Sequence, residues 1–173
     1  GGRAIDAAKG AIMRVAACDV GDAADALALL ACAASTSVLH AAGVLRDKLL
    51  RTVAAADLAA VFAPKAMAAS YLGQATYQAR LETVLLFSSI AAALGNVGQA
   101  NYAAANAYLY AHSRSRRWQA LLVSSLQIPA VSGAGMGAST FGDEQLDAMG
   151  AICGKVETQG ESRKEVEEDL RID

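Results

Sequence analysis

Short apolar runs that alternate with longer alanine-rich stretches restrict the fold of this chain more than any other feature. Residues 12–18, 37–40, 82–87 and 121–128 are runs of strand length, and helix-length segments lie between them. Such alternation predicts βαβ units around a parallel sheet, because parallel neighbours need a long crossover connection, usually a helix. Gly21-Asp22 offers a start for a helix over 23–30. Residues 48–62 carry Leu49, Leu50, Val53, Leu58 and Val61 at helical spacing, which predicts a covered helix. Pro64 suits the first turn of a further helix, and residues 99–117 predict a long one. Pro129 ends the last strand, and the small-residue segment 131–142 reads as a mobile loop, part of a lid reaching to about 148. Residues 1–154 then form one domain, followed by a charged tail, 155–173, that is a solvated helix or disordered.

With 173 residues, 54% hydrophobic and 18% charged, the chain is expected to bury a core of its own. The net charge of −2 is dispersed, so no footprint for nucleic acid is expected. Arg114, Arg116 and Arg117 cluster where they complement a helix C-terminus. Cys18, Cys32 and Cys153 are far apart and lack metal-ligand spacing, and Cys18 and Cys32 read as small buried hydrophobes in a reducing compartment. No apolar run reaches the length of a membrane span, and the start, Gly1-Gly2-Arg3, lacks a signal-peptide core and a Met. The expectation is a cytoplasmic chain that binds no membrane and is a segment of something longer.

Polar residues able to act together are concentrated between 85 and 109, in LLFSSIAAALGNVGQANYAAANAYL. Tyr102 and Asn106 are four apart in a helical run and share a face. Ser89 follows an apolar strand, and ligands of open α/β sheets bind at the carboxyl ends of strands. Carbonyl reduction needs a hydride donor, a proton donor and hydrogen bonds to the developing oxyanion. Tyr102 is the natural proton donor, and an ammonium such as Lys65 nearby would favour the phenol's ionised form. Ser89 can hold the carbonyl oxygen, and Asn106 can hold a lysine or a water in a relay. His40 at a strand end reads as structural, His112 as solvent-facing beside Arg114, and Trp118 as a packing residue.

The strings HAAGVLRD (40–47), VFAPKAMAA (61–69), the 85–109 segment and SGAGMG (132–137) closely resemble the ketoreductase domains of modular polyketide synthases. These belong to the short-chain dehydrogenase/reductase superfamily, and the likeness runs from about Val15 to Gly150. Most of that superfamily has its lysine four residues after the tyrosine, whereas here Asn106 stands there and Lys65 lies upstream, the ketoreductase arrangement. The resemblance implies a doubly wound Rossmann-type α/β sheet. It also implies NADPH-dependent reduction of a β-ketoacyl thioester, held on an acyl carrier protein among neighbouring synthase domains, to the β-hydroxyacyl thioester. By it, Tyr102 donates the proton, Ser89 orients the ketone, Lys65 holds the cofactor ribose and tunes Tyr102, and Asn106 supports Lys65. Asp19 and Val20 would face the adenine, and Ala41, Ala42 and Gly43 would line the cofactor with Lys65 and Tyr102. Asp47, Leu94 and Met136 would govern stereochemistry. Leu45-Arg46-Asp47 keeps the second aspartate of a Leu-Asp-Asp motif and Leu94 replaces the tryptophan of the opposite class, which implies a D-configured hydroxyl.

The family's glycine-rich turn after a first strand, which cradles a pyrophosphate at a helix N-terminus, has no counterpart here. Gly1-Gly2-Arg3 reads as the loop after the second strand, so the first strand, first helix and second strand are expected to lie outside the chain. Ile128-Pro129 replaces the family's Trp-Gly beside the nicotinamide. Two other readings stay open at this point: a non-catalytic structural piece of a megasynthase, and a stand-alone short-chain dehydrogenase acting on a small alcohol.

Overall fold

The computed structural model describes residues 3–6, 11–14, 16–32, 37–75, 81–132 and 152–153. Two compact units divide at Ile128 and Pro129. In the first, a parallel sheet runs in the order β3 (Ser37–His40), β4 (Thr83–Ser89), β5 (Val123–Ile128). Its register pairs Leu39 with Leu85 and Phe87 with Leu126. Within β4, Val84, Leu86 and Ser88 are buried while the alternate residues are half-buried or exposed, the period of two of a strand with one face toward the core. Ala69 from α3 (Ala68–Ala75) and Leu109 from α5 (Ala100–Trp118) close that face with Val84, Leu86 and Val123. α1 (Ala23–Cys32) lies against α3. Asp22 caps α1, its Oδ1 accepting from the amides of Ala24 and Asp25.

Three elements differ from the sequence reading. The strand expected over 12–18 is β2 (Ala11–Arg14), paired antiparallel with β1 (Arg3–Asp6) rather than joined to the parallel sheet. Only four residues separate the two, too few for a parallel crossover, so Arg3 belongs to a strand and not to a loop. The helix expected over 48–62 is a 3₁₀ turn at Leu50–Thr52 and then α2 (Ala55–Phe62). Thr52 Oγ1 donates to the Leu49 carbonyl at 2.9 Å and competes with a helical backbone. Asp57 restarts the helix by accepting from the Ala54 amide and from Lys48 Nζ at 2.8 Å. The Lys48 bond and that amide hold the Asp57 carboxyl below its usual range. Leu49, Leu50 and Leu58 are exposed rather than covered, and Val61 alone of the five is buried.

The third difference concerns Pro64, which does not open a helix. It lies in a π turn, Ala63–Met67, between α2 and α3. Proline has no amide to donate and its ring crowds the carbonyl four residues back, so the spine widens and the Ala68 amide bonds five residues back to Ala63.

α5 ends in a Schellman motif, with the Leu121 amide bonding the Arg116 carbonyl and the Ala120 amide bonding that of Arg117. Ala120 holds φ 60°, a left-handed conformation that a Cβ disfavours. Replacing Ala120 by Gly is expected to raise stability by about 1 kcal/mol, read as a higher urea midpoint with unchanged slope; an equal or lower midpoint contradicts the strain. Trp118 is 85% exposed and is not the packing residue expected. His112 does not face solvent beside Arg114: its ring stacks on Tyr108 at 5.6 Å between centroids. A Cβ on Gly73 would lie 2.9 Å from His112 Nε2, so glycine lets α3 and α5 approach there. Burial, and then Arg116, lower the His112 pKa.

In the second unit β6 (Val131–Ser132) pairs in parallel with β7 (Ile152–Cys153), so the loop expected from 131 begins as a strand. The rest of the expected lid and the charged tail lie outside the described residues. No helix among the described residues is long and apolar enough to cross a membrane.

Candidate active site

The carboxyl end of β4 and the first turns of α5 meet the π turn, and the polar residues of 85–109 converge there. Lys65 is 3% exposed, although lysine is ordinarily solvated. The π turn points it inward, and its Nζ donates to the Phe87 carbonyl at 3.0 Å. Its ammonium lies 5.6 Å from the centroid of the Tyr102 ring, within cation–π range. Burial lowers the Lys65 pKa to about 8. The turn is anchored by His40, which is buried and donates from Nε2 to the Lys65 carbonyl at 3.0 Å. That bond requires a proton on Nε2, and burial lowers the ring's pKa and favours the neutral form. His40 is therefore structural.

Tyr102 is half-buried in the first turn of α5. Burial pushes its phenol above the usual range, while Asn106 and Ser89 pull the other way and the Asp47 carboxylate adds a smaller upward push. From residue type alone, the downward pull is expected from Lys65. The ammonium sits over the ring rather than at the hydroxyl, so it does not set the phenol's direction. The Ser89 hydroxyl, at the last position of β4, also accepts from the Ala91 amide at 3.2 Å.

Asn106 is fully buried. Its Nδ2 donates to the Tyr102 carbonyl at 2.9 Å, and its own carbonyl accepts from Ser88 Oγ at 3.0 Å. No hydrogen bond among the described residues joins its amide to Lys65, whose ammonium is held by Phe87 instead. Asn106 Oδ1 is buried without a hydrogen-bond partner among the described residues, an acceptor whose burial costs about 1–3 kcal/mol unless something occupies the space beside it.

Residues 45–48 are tied to the start of α5. Gln99 Nε2 donates to Asp47 Oδ2 at 2.8 Å, Asn101 Nδ2 to the Arg46 carbonyl at 2.9 Å, and the Lys48 amide to the Gly98 carbonyl at 2.8 Å. Asn101 Oδ1 also accepts from the Tyr102 amide at 2.8 Å. Asp47 stands out in the sequence, whereas Gln99 and Asn101 do not, because their amides become buried partners only once this loop is in place. Leu94 ends the short helix α4 (Ala91–Leu94) and is 80% exposed.

The remaining candidates spread around this centre. Ala41, Ala42 and Gly43 follow directly on the carboxyl end of β3. Asp19 and Val20 lie in the turn before α1, several residues past β2, and Asp19 Oδ1 is engaged by the Gly21 amide at 2.9 Å. Met136 lies outside the described residues. Cys18 is half-buried, with Sγ 3.6 Å from the Asp25 carbonyl, and partial burial and three aspartates raise its pKa, which opposes a nucleophilic role. No cluster of three or more His, Cys, Asp or Glu among the described residues could hold a metal ion.

Known proteins similar to this chain are polyketide synthases and their ketoreductases. The chain is 38% identical over 155 residues to polyketide synthase GfsA of Streptomyces halstedii, covering 87% of this chain and 2% of that protein. It is 44% identical over 129 residues to polyketide synthase GfsB of the same organism, covering 72% and 2%. Among solved structures it superposes with TM-score 0.72 and 35% identity on an A-type ketoreductase from a modular polyketide synthase, covering 80% of this chain and 30% of that one. The α/β architecture is thus of Rossmann type, and the chain spans a small part of the proteins it matches. The model of the KR domain matches residues 3–133, and the chain belongs to that family, the ketoreductases of polyketide synthases.

Proposed function

We propose that the domain containing this chain reduces a β-ketoacyl thioester, carried on an acyl carrier protein, to the β-hydroxyacyl thioester with NADPH. The observation that carries this is the convergence of Tyr102, Ser89 and Asn106 beside a buried Lys65 at the carboxyl end of a parallel strand. In the reaction NADPH supplies the hydride. Tyr102 donates its proton to the ketone oxygen, and the Ser89 hydroxyl donates a hydrogen bond to the same oxygen as charge develops there. A phenol is protonated at neutral pH, the state a donor needs, and burial extends that state to higher pH.

The residues present suit the nicotinamide-ribose half of the cofactor. Lys65 offers a desolvated ammonium, Asn106 Oδ1 an acceptor awaiting a donor, and Ala41-Ala42-Gly43 a strand end without bulk. Asp19 and Val20 are assigned to the adenine end by family likeness. No residue of this sequence is assigned to the pyrophosphate. Asp47, held by Gln99, is the stereocontrolling residue, and Leu94 and Met136 are assigned to stereocontrol by family likeness.

The test is NADPH oxidation by the intact domain with a β-ketoacyl thioester on carrier protein, with chiral analysis of the product. Turnover with the D-alcohol predominating is expected. No turnover with the thioester, against reduction of a free ketone, would replace this reading by a stand-alone dehydrogenase. An L-alcohol would overturn the role of Asp47.

A further inference from the structure

The last three residues of β4 each address a different member of the site. The Phe87 carbonyl accepts from Lys65, the Ser88 hydroxyl donates to the Asn106 carbonyl, and the Ser89 hydroxyl acts on the Tyr102 phenol. Ser88 stands apart because it does not face the reacting groups. Strand alternation turns it to the opposite side from Ser89, toward the core, where it is buried together with Asn106. Its bond links β4 to the backbone of α5 and ends on the residue whose own side chain holds the Tyr102 carbonyl.

We propose that Ser88 is a positioning residue for the reduction: through the Asn106 carbonyl it sets the distance from the end of β4 to the second turn of α5, and so the approach of Ser89 to Tyr102. The inference rests on the ketoreductase reading above. A buried hydroxyl satisfied by a buried carbonyl is directional, whereas the apolar contacts between Leu86 and Leu109 permit small sliding. A shift of a few tenths of an ångström would weaken the pull of Ser89 and Asn106 on the phenol, so loss of Ser88 should raise the Tyr102 pKa further.

In the intact domain, Ser88→Ala is expected to lower kcat about tenfold, with KM for NADPH and thioester within about twofold. It should also move the alkaline limb of the pH profile upward by about half a pH unit. Ser88→Thr keeps the hydroxyl and should restore both. Wild-type kcat and an unmoved limb in Ser88→Ala overturn the proposal. Should that variant fail to fold, Ser88→Cys, close in volume and a weak donor, decides in its place: reduced kcat with a shifted limb supports the role, and wild-type values defeat it. Tyr102→Phe in the same preparations separates the two levels. If it stays active, the ketoreductase site itself falls; if it is inactive while the Ser88 variants match wild type, only this inference does.

Discussion

Turnover of the intact domain is expected to fall about a thousandfold when Tyr102 is replaced by phenylalanine. The change removes one oxygen and keeps the ring beneath the Lys65 ammonium, so the packing at 5.6 Å and the helix that carries it are retained. NADPH affinity should change by less than about fivefold, because the phenol is asked to supply proton transfer and not the bulk of binding. The wild-type enzyme should lose reductive activity as pH rises through the elevated phenol pKa, since a phenolate has no proton to donate. Single-turnover kinetics with fluorescence titration of NADPH checks both parts. Turnover within tenfold of wild type would move the proton donor elsewhere.

The second large effect sets stability against activity at Lys65. A charged ammonium that is 3% exposed, with the Phe87 carbonyl as its hydrogen-bond partner among the described residues, is costly in the protein without cofactor. The fall of its pKa from 10.5 to about 8 corresponds to roughly 3 kcal/mol, an upper bound on that cost at pH 7. Lys65→Met keeps the length and the apolar stem but leaves the Phe87 carbonyl without its donor, which returns about 1 kcal/mol. The variant is therefore expected to be about 2 kcal/mol more stable at pH 7, while turnover falls at least about a hundredfold.

Its pH dependence has a definite sign. The folded pKa lies below the unfolded one, so between about 8 and 10.5 the unfolded wild-type chain holds more protons and wild-type stability rises with pH. The advantage of the methionine variant should shrink across that window and turn into a deficit of about 1 kcal/mol above it, where the neutral lysine still serves the Phe87 carbonyl. Urea denaturation at pH 7 and pH 10 reads this directly, and a constant difference would mean that the burial cost is not carried by the charge.

Much of the architecture is legible in the chain, and each miss has a local cause. β3 and α5 sit within a residue of their expected bounds, since a four-residue apolar run and a long alanine-rich segment have strong signals of their own. The break at Val53 turned on a threonine bonding its own backbone, and the helical run through Pro64 on a π turn, both finer than hydrophobic spacing can resolve. β2 lies where an apolar run was expected, but its partner came from four residues away rather than from the parallel sheet, and pairing is not a property of either strand alone.

The candidate site divides the same way. By itself the sequence determined which residues could act, because residue type decides what can donate a proton or carry a charge, and helical spacing puts Tyr102 and Asn106 on one face. Only the tertiary structure decided their states. It buried Lys65 and moved its pKa to about 8, placed the ammonium over the Tyr102 ring instead of at the hydroxyl, and buried Asn106 Oδ1 with no partner among the described residues. It also brought in Ser88, Gln99 and Asn101, which are buried polar residues bonded to positions 18 to 55 residues distant. Protonation and hydrogen bonding depend on solvent exclusion and on neighbours remote in sequence, and those exist only once the strand, the π turn and the helix have packed together.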